Sequence, residues 1–398
     1  MTEDKTKDTT SPRILGLSRF DLTVGLVVVA LLVVIGLVAY FGNPARRGAM
    51  VAYLYPLDAT LQNIWLAPVN DPAQAQQLTD TETGIYDFDV SPDGRSIAYS
   101  ERDPETLLLD IYLLNLDSGN IRRLTTCGND DSECHTPTFH PDGEILAYMR
   151  QSLNRELETV GPGVPRIWLL QLQNGATQPL SQDQQLIGHS PQWSDDGNTI
   201  AFYSADLMNP GILVYNFNPQ TSDQATVNFI PSAHGSVGAL SPNGRELVFP
   251  DIINRSGTFY TYLKIANLDA DPPEYTDFTD AQGATDDIGV DWHPNGQQIT
   301  IERRFTDERY TRGYQLYQED VESREIVPLL YDERYSHHYF AWNRDGSMLV
   351  VQRIQLLDDN GDTNRGARPE IWVLNAETGD LIKISDQAYY PRWVIPEG

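Results

Sequence analysis

HSPQWSDDGNTIAFYS, residues His189 to Ser204, sets two short apolar strands on either side of a four-residue turn, Ser194-Asp195-Asp196-Gly197. The turn recurs as Ser91-Pro92-Asp93-Gly94, His140-Pro141-Asp142-Gly143, Ser241-Pro242-Asn243-Gly244, His293-Pro294-Asn295-Gly296 and Asn343-Arg344-Asp345-Gly346. Its six glycines are 49, 54, 47, 52 and 50 residues apart. Proline presets φ for a turn, Asp or Asn bonds its own backbone, and glycine takes positive φ, so each copy predicts a tight hairpin. Six copies at nearly constant spacing predict a repeat architecture.

The neighbours of each turn are equally regular. Four places ahead of the glycine stands an apolar residue: Val90, Phe139, Trp193, Leu240, Trp292 and Trp342. A second strand follows the turn, as in Ile145-Leu146-Ala147-Tyr148 and Met348-Leu349-Val350-Val351. A third follows in DIYLLNL from Asp110, RIWLLQL from Arg166 and EIWVLNA from Glu370, and a fourth closes each unit, as in Ile121 to Thr125. Four strands in about 50 residues make one blade of a β-propeller. Ahead of the first turn, Val51 to Tyr55, Asn63 to Val69 and Gln76 to Thr79 match a blade lacking its first strand. Tyr389-Tyr390-Pro391-Arg392-Trp393 parallels His189 to Trp193 and supplies the missing one. The fold class expected is all-β, a seven-bladed propeller with six blades as the alternative, closed by strand 388–394 from the far end.

The tracts 189–204 and YDFDVSPDGRSIAYS (Tyr86 to Ser100) resemble the repeats of the TolB-type, WD-like propeller family. The resemblance covers residues 51–398 and implies the propeller fold. It also implies a range of roles: periplasmic interaction proteins, gating domains of peptidases and sensor modules. Proteins of the TolB type are usually soluble and six-bladed, and this chain departs from both habits.

Composition narrows the partners. Among 398 residues, 28 Lys and Arg stand against 56 Asp and Glu, a net charge of −28. That field repels phosphate backbones, and no basic stripe is interleaved with aromatics, which excludes a nucleic-acid partner. The remainder of the acidity reads as a solvated surface. From Leu22 to Phe41 the sequence LTVGLVVVALLVVIGLVAYF carries no charge. At ~1.5 Å per residue such a helix crosses the ~30 Å hydrocarbon core. Lys5, Lys7, Arg13 and Arg19 precede it and Arg46 and Arg47 follow, a bias that puts the N-terminus in the cytoplasm. The order expected is therefore a cytoplasmic tail at 1–21, a single-pass transmembrane helix at 22–42, a linker at 43–50 and a propeller at 51–398 on the extracytoplasmic side of the cell membrane.

Strand order then divides the loops between two faces. The glycine turns and the links between third and fourth strands share the turn face. The longer links between second and third strands, and those between blades, share the opposite loop face, where binding sites concentrate. Eight residues before each glycine stand Tyr86, His135, His189, Ser236, Ile288 and His338, with Tyr389 the equivalent in the closing strand. Tyr86, His135, His189, His338 and Tyr389 are the candidate binding residues at the mouth of the central channel. The histidines suit either a transition metal or carboxylate, or a structural role against the backbone. Asp358, Asn360 and Asp362 alternate oxygen side chains as at the start of a calcium loop, but Thr363 replaces the glycine that usually follows. Calcium is thus the one cofactor considered, with a plain acidic loop as the other reading. Cys127 and Cys134 enclose GNDDSE and predict a surface disulfide; idle thiols, or a metal site with Asp130, Asp131 or His135, are the competing readings.

No Gly-x-Ser-x-Gly elbow, His-Glu-x-x-His or phosphate loop occurs. The expected function is accordingly a membrane-anchored, non-catalytic module that binds a protein or small ligand through the loop face. The alternative is a propeller enzyme, a hydrolase or lyase, with its site at the channel mouth.

Overall fold

The computed structural model describes residues 48–57, 61–155, 161–204, 206–216 and 227–395. The expected cytoplasmic tail and membrane helix, and the linker up to residue 47, lie outside the described residues. No helix among the described residues is long and apolar enough to cross a membrane.

Residues 48–395 form seven four-stranded antiparallel sheets, which decides for seven blades against six. Blade 1 spans residues 85–123, blade 2 132–179, blade 3 189–231, blade 4 239–277, blade 5 285–330 and blade 6 335–386. Blade 7 combines Tyr389–Val394 as its innermost strand with Met50–Tyr55, Asn63–Pro68 and Gln76–Gln77. The first and last strands meet antiparallel, Met50 opposite Val394, Val51 opposite Trp393 and Ala52 opposite Arg392.

Why the second strands read as unbroken apolar runs is clear from their neighbours. Each blade is buried on both faces, so successive side chains enter different cores. Ile200 and Phe202 pack with Ile145 and Leu169 of blade 2, whereas Ala201 and Tyr203 pack with Leu247 and Phe249 of blade 4. Seven apolar clusters result, one at every blade interface. Full burial of one such side chain contributes about 1.5–3 kcal/mol, so sealing the interfaces is the main term holding the ring.

The repeated turns are tied as their sequence predicts. Gly94 sits at φ 65° and donates its N–H to the Ser91 carbonyl at 2.8 Å, while Asp93 Oδ1 accepts from Ser91 Oγ at 2.6 Å and Arg95 N at 3.0 Å. Where the first turn residue is histidine it reaches the next blade instead. His140 packs edge-on to Trp193 with ring centroids 4.7 Å apart and its Nε2 donates to the Gly197 carbonyl at 3.0 Å. His293 does the same with Trp342 at 4.5 Å and the Gly346 carbonyl at 3.2 Å.

One hairpin is longer than its counterparts. In blade 4 the second and third strands run ten residues each, Glu246–Arg255 and Thr258–Asn267. Ser256 and Gly257, at φ 53° and 90°, make the connecting turn, and Asn254 Oδ1 accepts from Gly257 N at 2.9 Å. Two consecutive positive φ values match the twist of the strands, so the hairpin projects on the loop face.

Candidate functional site at the loop-face mouth

Innermost strands lose their regularity as they approach the loop face. Register shifts fall between Ile85 and Asp87, His135 and Thr138, His189 and Gln192, Asp287 and Gly289, and His338 and Phe340. Thr136, Ser190, Tyr339 and Tyr390, at equivalent places, take φ of 51°, 55°, 41° and 58°. A bulge of this kind re-aims the side chains beside it. The expected mouth residues therefore stand at or next to bulges, and their side chains fall into separate groups.

Blades 1 to 3 supply the first group. Tyr86 is 57% exposed, and its ring meets His135 edge-on at 5.4 Å. Asp87 Oδ2 accepts from Thr136 N at 2.9 Å and lies 3.7 Å from His135 Nδ1. That gap exceeds a hydrogen bond, and His135 Nδ1 is buried without a partner. Asp87 also accepts from the Ser100 hydroxyl. His189 comes from the next blade, packs against Tyr203 at 5.6 Å, and sets Nδ1 3.0 Å from Ser190 Oγ. Burial holds His189 below the usual imidazole range, and the neighbouring His135 adds to the effect. A histidine kept neutral beside a hydroxyl is equipped to accept its proton.

His338 stands apart. Its Nδ1 lies 2.5 Å from Glu302 Oε1, in blade 5, and burial raises the Glu302 pKa despite that partner. Tyr389 and Tyr390 belong to the closing strand, where Tyr390 packs on Phe88 at 5.5 Å and under the Arg392 guanidinium at 4.3 Å. Among the described residues no group of three or more His, Cys, Asp or Glu is placed to hold a metal ion. In the acidic loop, Asp358 Oδ1 accepts from Asn360 N and Asp362 N, both at 2.9 Å, so this carboxylate oxygen caps its own turn. Cys127 and Cys134 are disulfide-bonded with Cα atoms 6.0 Å apart; both are buried in the apolar cluster between blades 1 and 2 rather than at the surface.

Several groups at this end escaped the sequence reading. His234 Nδ1 pairs with Ser236 Oγ at 3.0 Å, and burial lowers its pKa. Asp286 accepts from Tyr314 Oη at 2.6 Å and Arg304 Nη2 at 3.0 Å, and Asp287 takes Arg303 through Nε at 2.6 Å and Nη2 at 2.9 Å. His337 is wholly buried between blades 5 and 6 with neither ring nitrogen hydrogen-bonded, and burial pushes its pKa down to about 3. None of these positions repeats around the ring, so periodicity carries no signal for them.

Comparison with known proteins gives this arrangement a context. Dipeptidyl-peptidase 5 of Aspergillus fumigatus is 26% identical over 221 residues, which is 52% of this chain and 29% of that protein. The chain thus spans less than a third of that relative's length. In fold it is similar to the propeller domain of the Trilobed protease from Pyrococcus furiosus, with a TM-score of 0.56 at 11% identity, covering 85% of this chain and 95% of that one. An oligogalacturonate lyase solved with manganese gives 0.56 at 14% identity, covering 85% and 84%. The two solved structures share the fold, and the Aspergillus relative carries the name of an enzyme, which overturns the expectation of a non-catalytic module. A propeller mouth draws its side chains from separate blades, so a reactive set there would leave no contiguous motif in the sequence. The TolB beta propeller domain profile matches residues 62–271, more than half of the 398, and the chain belongs to that family.

Proposed function

We propose that this chain is a propeller enzyme, a hydrolase or lyase, that works through the group at its loop-face mouth with His189 as general base. The observation that carries the reading is the Ser190–His189 contact of 3.0 Å on a bulge, with the imidazole held neutral. Ser190 Oγ–H donates to Nδ1, so when the oxygen attacks an acyl carbon its proton passes to the imidazole and can return to the leaving group. The neighbouring His135 adds to the burial that keeps His189 uncharged. A polypeptide is the preferred substrate, since the Aspergillus relative is named a peptidase, and a polyuronate is the second choice on the name of the lyase.

The test is release of chromophore from dipeptidyl p-nitroanilides, and of unsaturated product from oligogalacturonate, by the full chain. His189→Gln is expected to lower kcat at least ~100-fold with unchanged thermal stability. The acid limb of kcat should lie below the ordinary imidazole range, following the lowered pKa of His189. Turnover that survives the substitution, or no turnover of either class, removes the proposal.

A further inference from the structure

A large cavity opens at the other end of the ring. It holds about 580 Å³ on the turn face and is lined from all seven blades. The apolar residue four places before each turn glycine forms its wall, together with its counterpart in the closing strand, and four of the seven are indoles: Trp193, Trp292, Trp342 and Trp393. Asp89, Asp195 and Asp291 line the same space against one guanidinium, Arg344.

These carboxylates are differently held. Asp89 Oδ2 accepts from Phe139 N of the next blade at 2.9 Å, and Asp291 accepts the Trp342 amide in the same manner, so each staples two blades with one oxygen. Asp195 makes no such staple; it interacts with Arg344 across the ring and with Asp291. Arg392 also acts on Asp89 and Asp291; its guanidinium lies over the Tyr390 ring and its Nη1 donates to the Pro391 carbonyl at 3.0 Å. Three carboxylates thus outnumber the two guanidiniums that act on them, burial raises the pKa of all three, and the space they share is walled by aromatic rings. Carboxylates and aromatic faces share one kind of ligand, an organic cation. A divalent metal needs three or more convergent ligands, and no such group is formed among the described residues.

We propose that the turn-face cavity binds a small organic ammonium ion, its charge among Asp89, Asp195 and Asp291 and its apolar body against the indoles. A volume of this size accepts a molecule of roughly ten to twenty heavy atoms. The site is independent of the loop-face mouth and of any reaction there.

The probe is 3-phenylpropylamine, with 3-phenylpropan-1-ol as its neutral counterpart, titrated into the full chain and followed by calorimetry and indole fluorescence. The amine is expected to bind at least ~10-fold more tightly than the alcohol. Asp195→Asn, which leaves both staples in place, should weaken the amine at least ~5-fold without shifting Tm, and Arg344→Gln should tighten it. Equal binding of amine and alcohol, no binding of the amine up to ~10 mM, an unchanged affinity in Asp195→Asn, or displacement of the amine by equimolar calcium chloride would each overturn the proposal.

Discussion

The two ends of each innermost strand obey different rules. At the turn end every blade places an apolar residue against the channel and, in six of them, a glycine between φ 65° and 73°, so the ring is close to a seven-fold repeat. Toward the loop face the strand bulges, and the side chains around the bulge are particular to each blade: His135 beside Asp87, His189 on Ser190, and His338 on Glu302. Repetition builds the scaffold, and its breakdown supplies chemically distinct groups at one opening.

On that contrast, single pairs should dominate near the loop face and shared locks at the turns. Asp287→Ala is expected to have the largest effect, about 3–5 kcal/mol in denaturant unfolding, because it strands the buried Arg303 guanidinium. At the turn face Gly346→Ala should cost about 2–4 kcal/mol, since the residue sits at φ 73° and a Cβ would run into the His293 ring. Gly119→Ala has almost the same φ, 71°, with open space around it, and should cost only about 1 kcal/mol. A similar cost at both glycines would deny the lock between blades. Replacing Cys127 and Cys134 by serine should cost about 2–3 kcal/mol, the loop-closure entropy returned to the unfolded chain.

The dependence of stability on pH tests the buried groups at both ends. His337 has its pKa at about 3 in the fold, against ~6.5 when unfolded. As pH falls through that interval the unfolded chain takes up the proton first, so stability is lost downward from pH ~6.5. His337→Leu should flatten Tm between pH ~6.5 and ~4. Asp291 runs the opposite way: burial raises its pKa to about 7 against ~3.8 unfolded, so its contribution is lost as pH rises through that window. Asp291→Asn should flatten that slope, and a steeper one would contradict the assignment.

Legibility in the sequence divides along the same line. The blade count, the closing match at Tyr389 to Trp393 and the turn chemistry are legible because each is one fact stated several times over. The disulfide partners are legible too, although their burial between blades 1 and 2 is not. The clustering of His135 with His189, and the capture of His338 by Glu302, depend on bulges that shift side chains out of the repeat. The pairing of Asp287 with Arg303 and the burial of His337 are further from any pattern, since each involves a neighbouring strand and occurs once. The enzyme reading is second in the sequence for want of a contiguous motif, a criterion suited to sites made by one loop.

Closure has a consequence for how the protein is made. Met50 pairs with Val394, so the ring cannot seal until the closing strand has left the ribosome. Until then the three N-terminal strands of blade 7 can pack on blade 1 but lack their innermost partner, and Val350 and Ile371 of blade 6 meet Val51 and Tyr53 only across most of the chain's length. Contacts this distant in sequence form late, and exposed strand edges invite pairing with other nascent chains. The six residues from Tyr389 to Val394 act as a latch on synthesis, and a chain that stops short of them keeps an unpaired strand edge at Met50 to Tyr55.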